Sequence, residues 1–379
     1  VSVVIFIIGL ILFVLLVVVH ELGHAIVARR NGVTVEEFGI GFPPRFWSRK
    51  LRNGTLFSLN ALPLGGFVRL KGEHDAAEGP GTYGGASLKA KTKILLAGVV
   101  MNWITAVLIF TGLALTGLPQ LVSGQFTVAS NTKVTQSATL ITYVENGSPA
   151  ARGGLEVGDQ LVKLGDQKVT SAEQLTHLTQ SDAGKKVVIT YIRNGTTRTT
   201  ATTLHSNDNN GQGYLGVSPA DRILQRSTWS APIVGIGLTV QLTKLTVVGL
   251  GDVIGNLFTG IVQSFNTNGH IRAEGKSHFA TAGDNVSGPV GIFMLLKSVS
   301  AAGMSLMLYL IAVISLTLAI MNVLPIPALD GGRLFVTLVY RLRKKALTKD
   351  REEQLQGYGF AALMVLIILV TIVDVKRYF

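Results

Sequence analysis

Residues 7–30 read IIGLILFVLLVVVHELGHAIVARR, an aliphatic run that takes on His20, Glu21 and His24 before Arg29 and Arg30 stop it. A helix needs about 20 apolar residues to cross the hydrocarbon of a bilayer, so Val3 to Ala28 predicts a transmembrane helix, retained rather than cleaved as a leader. An ionisable side chain near the centre of such a helix costs about 2.5–3.5 kcal/mol on insertion scales, which makes its presence there a functional hypothesis by default. Positions i and i+4 share one helical face, so His20 and His24 can offer two nitrogens to one ion while Glu21 projects beside them. Zinc suits this set. It takes N and O donors tetrahedrally, and a catalytic site keeps one position for water, whose pKa the metal lowers toward neutral. Glu21 would then be the general base.

The remaining composition fits a membrane protein: of 379 residues, 47% are apolar, only 15% are charged and 43 are glycine. The net charge of +12 reflects basic loops kept on the cytoplasmic side, and the sequence has no Arg-rich or stacked-aromatic pattern of the kind that binds nucleic acid. Cysteine is absent, which excludes disulfides, thiolate metal sites and cysteine nucleophiles. Three further stretches are apolar enough to span: Ile94 to Leu118, Ser305 to Leu324, and the shorter Phe360 to Val373. The fold class predicted is a polytopic α-helical membrane protein with four transmembrane helices. Residues 29–93 carry eleven Lys or Arg and 341–351 carry six, so both loops are expected inside, and residues 118–303 and both termini outside.

Between the first two spans, Asn53-Gly54 signals a β-hairpin, apolar enough to dip into the membrane against protein or substrate. The domains expected are 1–118 (two spans, HELGH and the hairpin), 125–219 (an inserted α/β domain), 220–300 (an interfacial, amphipathic linker) and 301–379 (the last two spans). Residues 230–265 are apolar enough for a fifth span. A crossing there would send residue 330 to the outer face, away from HELGH, so this stretch reads as interfacial.

Two histidines need a third ligand. A third histidine six residues after His24 is absent, since Arg30 stands there. Glu36 and Glu37 lie in a strand-like stretch and read as solvated or paired, and His270 and His278 as histidines of an outer loop. In NVLPIPALDGGR (322–333), Pro325 and Pro327 break the helix, and Asp330 comes near the inner end of the third span, the depth and side of HELGH. Asp330 therefore completes a His2Asp set.

HELGH, NVLPIPALDGG, GVVMNWITA (98–106), EEFGIGF (36–42), LPLGGFVRLKGE (62–73), GLEVGDQLVKLGD (154–166) and SGPVGIF (287–293) together resemble bacterial site-2 proteases of the regulator-of-sigma-E-protease type. The resemblance implies an intramembrane zinc endopeptidase of the bacterial cell membrane, with Zn2+ held by His20, His24 and Asp330 and with Glu21 catalytic. It implies substrate contacts at Asn322, Asn102 and Pro325, and makes the inserted domain an extracytoplasmic PDZ-like domain, one where the best-known relatives have two. Expected partners are the lipid bilayer and single-span membrane proteins already cut outside, such as an anti-sigma factor or a signal-peptide remnant. Two rivals are a zinc membrane protease acting on prenylated or other small peptides, and a non-catalytic PDZ scaffold with a structural metal.

Overall fold

Within hydrocarbon a backbone N–H or C=O has no water to turn to, so a chain crossing alone has to be helical. The computed structural model describes residues 2–378 apart from 194, 208–212, 266, 267, 269, 271–273, 275, 276, 279, 280, 282, 284 and 285. In chain order, α1 (Ser2–Arg30) leads into β1 (Val35–Lys50) and β2 (Leu56–Leu70), and α2 (Leu88–Thr116) follows. Next come β3 (Leu118–Pro119), β4 (Lys133–Val144), α3 (Pro149–Arg152), β5 (Gln160–Leu164), β6 (Gln167–Lys168), α4 (Ala172–Ser181), β7 (Lys186–Arg193), β8 (Thr196–Thr203) and β9 (Val217–Arg226). The chain closes with α5 (Ala231–Ser264), α6 (Pro289–Ala302), α7 (Met304–Val323), α8 (Asp330–Leu342) and α9 (Lys349–Tyr378).

Among the described residues, α1, α2, α5, α7 and α9 are long and apolar enough to cross a membrane, five helices where the sequence suggests four. The addition is α5, whose early turns pack on the end of α2: an added Cβ at Gly235 would lie 2.9 Å from Val107 O, and Leu238 and Leu242 are buried. Beyond Leu242 its side chains Leu245, Val247, Ile254 and Phe258 are exposed. The short apolar stretch at 360–373 proves to be the middle of α9, a 30-residue helix.

Helices pack without a hydrophobic driving force in lipid, so close backbone approach does the work. Gly23 of α1 is such a point, since a Cβ there would come within 2.7 Å of Ala97 O on α2. Ser315 Oγ of α7 donates to Asn102 O of α2 at 2.8 Å, and Phe110 meets Tyr309 edge-on at 5.2 Å. The last helix, α9, stands apart. Its buried residues are Glu352, Gly359 and Asp374, and Asp374 accepts the Gly291 N–H at the start of α6, 2.7 Å.

The hairpin is more elaborate than Asn53-Gly54 alone suggests. Phe38 faces both Val68 and Phe57, and Gly39 both Phe67 and Ser58, while Trp47 faces Leu59. Each long strand thus folds back on itself, and four segments lie side by side in the order 45–50, 56–60, 37–40, 66–70. Gly41 (φ 80°) and Gly65 (φ 95°) take left-handed backbone at the two folds, and Gly65 lies near Val17 of α1.

The inserted domain has a sheet in the order β3-β9-β4-β5-β7-β8, with β6 on β5. Its core is built on Ile141, Leu161, Leu175, Ile189 and Leu215. The sheet runs past the domain limits read from sequence: β3 pairs with β9 directly after α2, Ser227 N–H donates to Ala114 O at 2.7 Å, and Arg226 Nε to Leu115 O at 3.0 Å. The domain is therefore strapped to the C-terminal end of α2. Within it, buried Asp159 takes a fork of two 2.7 Å bonds from Arg193, which also donates to Gly154 O. Removing Asp159 takes both of those bonds away and leaves Arg193 with Glu156, at 2.7 Å, and the Gly154 carbonyl; hydrogen bonds to charged groups contribute about 1.5–3 kcal/mol each. Asp159→Ala should accordingly lose amide hydrogen-exchange protection across 155–164 while α1 and α2 keep theirs.

Candidate metal centre and active site

The first turn of the problem is the pair on α1. His20 Nε2 and His24 Nε2 lie 3.1 Å apart, and Asp330 Oδ2 lies 3.1 Å from the first and 3.2 Å from the second. Donors of a tetrahedral zinc at bond lengths near 2.0–2.1 Å sit roughly 3.3 Å apart, so these three atoms outline one face of such a site. Both imidazoles are buried, whereas the Asp330 side chain is partly open.

Asp330 arrives from 310 residues away through the break that follows α7. The helix stops at Val323, and α8 begins at Asp330 itself. Between them Ala328 takes a left-handed φ of 79°, which costs a non-glycine residue about 1–2 kcal/mol. That conformation is held by α9: the Ala328 N–H donates to Gln356 Oε1 at 2.5 Å, and Gly359 packs against the Pro327 carbonyl. Gly331 and Gly332 lie against the carbonyls of Val323 and Ile326, where any Cβ would overlap them. The LDGG sequence is thus the condition for folding α8 back so that its first residue reaches the histidines.

Each imidazole has an outer support. His24 Nδ1 donates to Ile94 O at 2.7 Å, which turns Nε2 toward the site. His20 Nδ1 faces the amide of Asn102, a fully buried residue whose Nδ2 is 3.4 Å away and whose Oδ1 has no hydrogen-bond partner among the described residues. The two amide atoms are interchangeable by a flip. Turned over, Asn102 Oδ1 accepts from His20 Nδ1–H, the orphaned oxygen is satisfied, and His20 Nε2 is left free as a donor. The residues present therefore fit a zinc ion. Gly98 completes the cradle, because a Cβ there would lie 2.5 Å from His24 Nε2 and 2.6 Å from His20 Nε2.

Glu21, His24 and Asp330 line one cavity of about 650 Å³ with Phe67–Leu70 of the sheet and Ala328–Leu329 of the break. Gly66 has no side chain, and the position its Cβ would take is 3.6 Å from Glu21 Cγ. A carboxylate beside three convergent donors, in a cavity with a polar wall that includes Glu73, Arg333 and Glu352, can activate water and move its proton. Asn322 is half-buried in the last turn of α7 and Pro325 is exposed, and neither is among the residues lining this cavity. His270 pairs with Glu274 and His278 with Asn256, away from the centre. Glu37 is buried and paired with Arg45 and Arg69, each at 2.9 Å, rather than turned to the metal donors.

Sequence reasoning misses an ionic cluster on the polar wall. Arg333, one turn after Asp330, pairs with Glu73 at 2.9 Å and Glu352 at 3.2 Å, donates to Glu73 O, and lies over the Tyr83 ring at 4.7 Å. Lys91 is fully buried against Asp75 and Tyr83, and burial holds the Tyr83 phenol well above its ordinary pKa. A lysine in the apolar register of α2 is the signal that could have revealed it.

A family described as Peptidase family M50 matches residues 8–366. A Clostridium perfringens protein bearing a zinc-metalloprotease name is 32% identical over 373 residues, 97% of each chain. Zinc metalloprotease RasP of Shouchella clausii is 26% identical, aligned over 97% of this chain and 98% of its own, and "Probable protease eep" of Enterococcus faecalis is 26% identical over 98% of each. A solved PDZ domain, from the SdrC-like protein of Listeria monocytogenes, aligns with 23% of this chain and 92% of its own at 23% identity and a TM-score of 0.21.

Gly98→Ala should abolish zinc loading, measured by metal analysis of the purified protein, while Gly112→Ala on the same helix, with open space around it, should load fully. Asn102→Leu should bind zinc about 10–100-fold more weakly, as expected when an outer-shell partner is lost, in competition with a chelator.

Proposed function

We propose that this chain, which belongs to peptidase family M50, hydrolyses peptide bonds inside the transmembrane helices of single-span membrane proteins already shortened on their outer side. It is a zinc metalloprotease and a multi-pass membrane protein. The observation that carries the finer reading is the position of the cavity, where Glu21 and the three donors stand at the end of an apolar helix with a sheet and a broken helix for walls.

Held by His20, His24 and Asp330, zinc would polarise the scissile carbonyl and acidify water at its open position. Glu21 takes the proton from that water and returns it to the leaving amine. Asn102 acts through His20, by fixing its ring. A carbonyl within an intact helix is already hydrogen-bonded, so the substrate has to unwind before it can react, and its freed backbone groups need partners. The 66–70 edge and the irregular backbone at 324–329 supply them, with Asn322 and Pro325 as the substrate contacts beside the break.

Four crossings, with the inserted domain and both termini outside, remain the topology we favour. His278 bonds to Asn256 of α5, and Gly283, five residues on, lies near Val373 at the far end of α9. Five residues reach about 18 Å at most, less than the roughly 30 Å of hydrocarbon, which supports α5 staying on the outer half. The inserted domain, PDZ-like and strapped to α2 above the site, is too distant to supply a catalytic group and acts on access. Anti-sigma factors and signal-peptide remnants have the form of substrate required.

The test is purified protein in liposomes with single-span substrates that differ only in outer-domain size. The wild type should cut the short-stub form within its transmembrane segment and spare the bulky one, and Glu21→Gln should cut neither while retaining wild-type zinc. Cleavage confined to soluble or prenylated peptides would overturn the reading, and zinc loss in Glu21→Gln would make Glu21 a ligand.

A further inference from the structure

On top of the backbone ladder, one carboxylate links all four segments of the sheet beside Glu21. Glu37 Oε1 accepts from Ser58 Oγ at 2.7 Å and from Arg45 at 2.9 Å, and Oε2 pairs with Arg69 at 2.9 Å. These four residues come one from each of the four segments: 37–40, 45–50, 56–60 and 66–70. The Glu37 side chain is 2% exposed, while those of Arg45 and Arg69 are 48% and 54% exposed. One buried acceptor therefore ties every strand to every other.

The segment that matters for chemistry is 66–70. It has a strand neighbour on one side only, 37–40, and its residues Phe67 to Leu70 line the cavity with Glu21, His24 and Asp330. At its tip Gly66 and Gly39 carry no side chain, and the ring of Phe67 lies across Gly39. The place of the edge along α1 thus depends on how 37–40 is held, and Glu37 is the side chain that joins that strand to the other three segments.

We infer that Glu37 is a positioning residue for proteolysis, setting the 66–70 edge in register with Glu21 and the metal donors so that an unwound substrate strand meets them in reactive alignment. This rests on the reading that the chain cuts unwound transmembrane segments. Misplacement of reacting groups by about 1 Å can cost on the order of a hundredfold in rate, so a loosened edge is felt in turnover without any loss of metal.

Glu37→Gln is the informative variant. The amide keeps the size and the bond from Ser58 but gives up both charged pairs; Arg69 retains Glu36 at 3.5 Å, and both guanidiniums are exposed enough to stay hydrated. In full-length protein in liposomes, zinc content should equal that of the wild type, and kcat on a transmembrane substrate should fall about tenfold or more with KM little changed. On the same substrate carrying a helix-breaking Gly-Pro pair at the cleavage site, the deficit should shrink to about threefold or less, since less unwinding then depends on the edge. Arg45→Gln, on the strand farthest from the cavity, should show the same substrate dependence in weaker form, and it decides the matter if Glu37→Gln is not recovered folded. Unchanged kcat, loss of zinc, or an equal loss on both substrates would overturn the positioning role. Failure of the wild type itself to cut the transmembrane substrate would instead overturn the reading on which it rests.

Discussion

An ion held by nitrogen and oxygen inside an apolar bundle needs its donors presented at one point by backbone that cannot itself be left unpaired. That double demand shapes the whole molecule. Two donors come cheaply, one turn apart on α1. The third cannot lie on an unbroken crossing helix and still point along its end, so the chain breaks at 324–329 and restarts with Asp330 as the first residue of α8. The left-handed turn in the break is then met by α9, through Gln356 at the Ala328 N–H and Gly359 at the Pro327 carbonyl. The geometry of the metal centre thus depends on a helix that contributes no donor to it.

The same logic explains the polar wall. Arg333 follows Asp330 by one turn and reaches Glu73 after the sheet, Glu352 at the start of α9 and the face of Tyr83. Charges removed from water are tolerated only when paired and hydrogen-bonded, and here the pairing joins loop, sheet, α8 and α9 around one cavity. On the other side, Asn102 and Ile94 of α2 orient the two imidazoles, while Gly98 makes room for them. Helix α2 is consequently as much a part of the candidate metal centre as α1, although no side chain of it is among the three convergent donors.

The end of the molecule that carries the inserted domain is organised by attachment rather than by chemistry. The inserted domain joins α2 through β3 and β9, with Ser227 and Arg226 bonded to the last carbonyls of that helix. Such a strap fixes where the domain stands above the bundle, which a flexible linker would leave open. Asp374 similarly fastens the C-terminal end of α9 to the first turn of α6, in a nook that Gly288 and Gly291 keep free of side chains.

The sequence by itself determined the membrane class and singled out His20, His24 and Asp330, the three residues whose donor atoms the fold brings together, because ionisable residues in an apolar run and prolines at membrane depth are costly enough to be informative wherever they stand. It also marked the hairpin by Asn53-Gly54 and the long apolar stretches by their length. It could not show that the hairpin refolds into four side-by-side segments around Glu37, since those pairings join residues through two changes of direction that local propensity does not encode. Nor could it separate Glu37, a buried knot, from Glu36 beside it, or show Asn102 against His20 instead of a substrate. The span count divides in the same way: composition makes α5 a fifth crossing candidate, and only its packing against α2 and the short return from Asn256 to Val373 bear on where it lies. Burial and partner are properties of what the fold brings alongside a residue, and for these positions the neighbours come from distant parts of the chain.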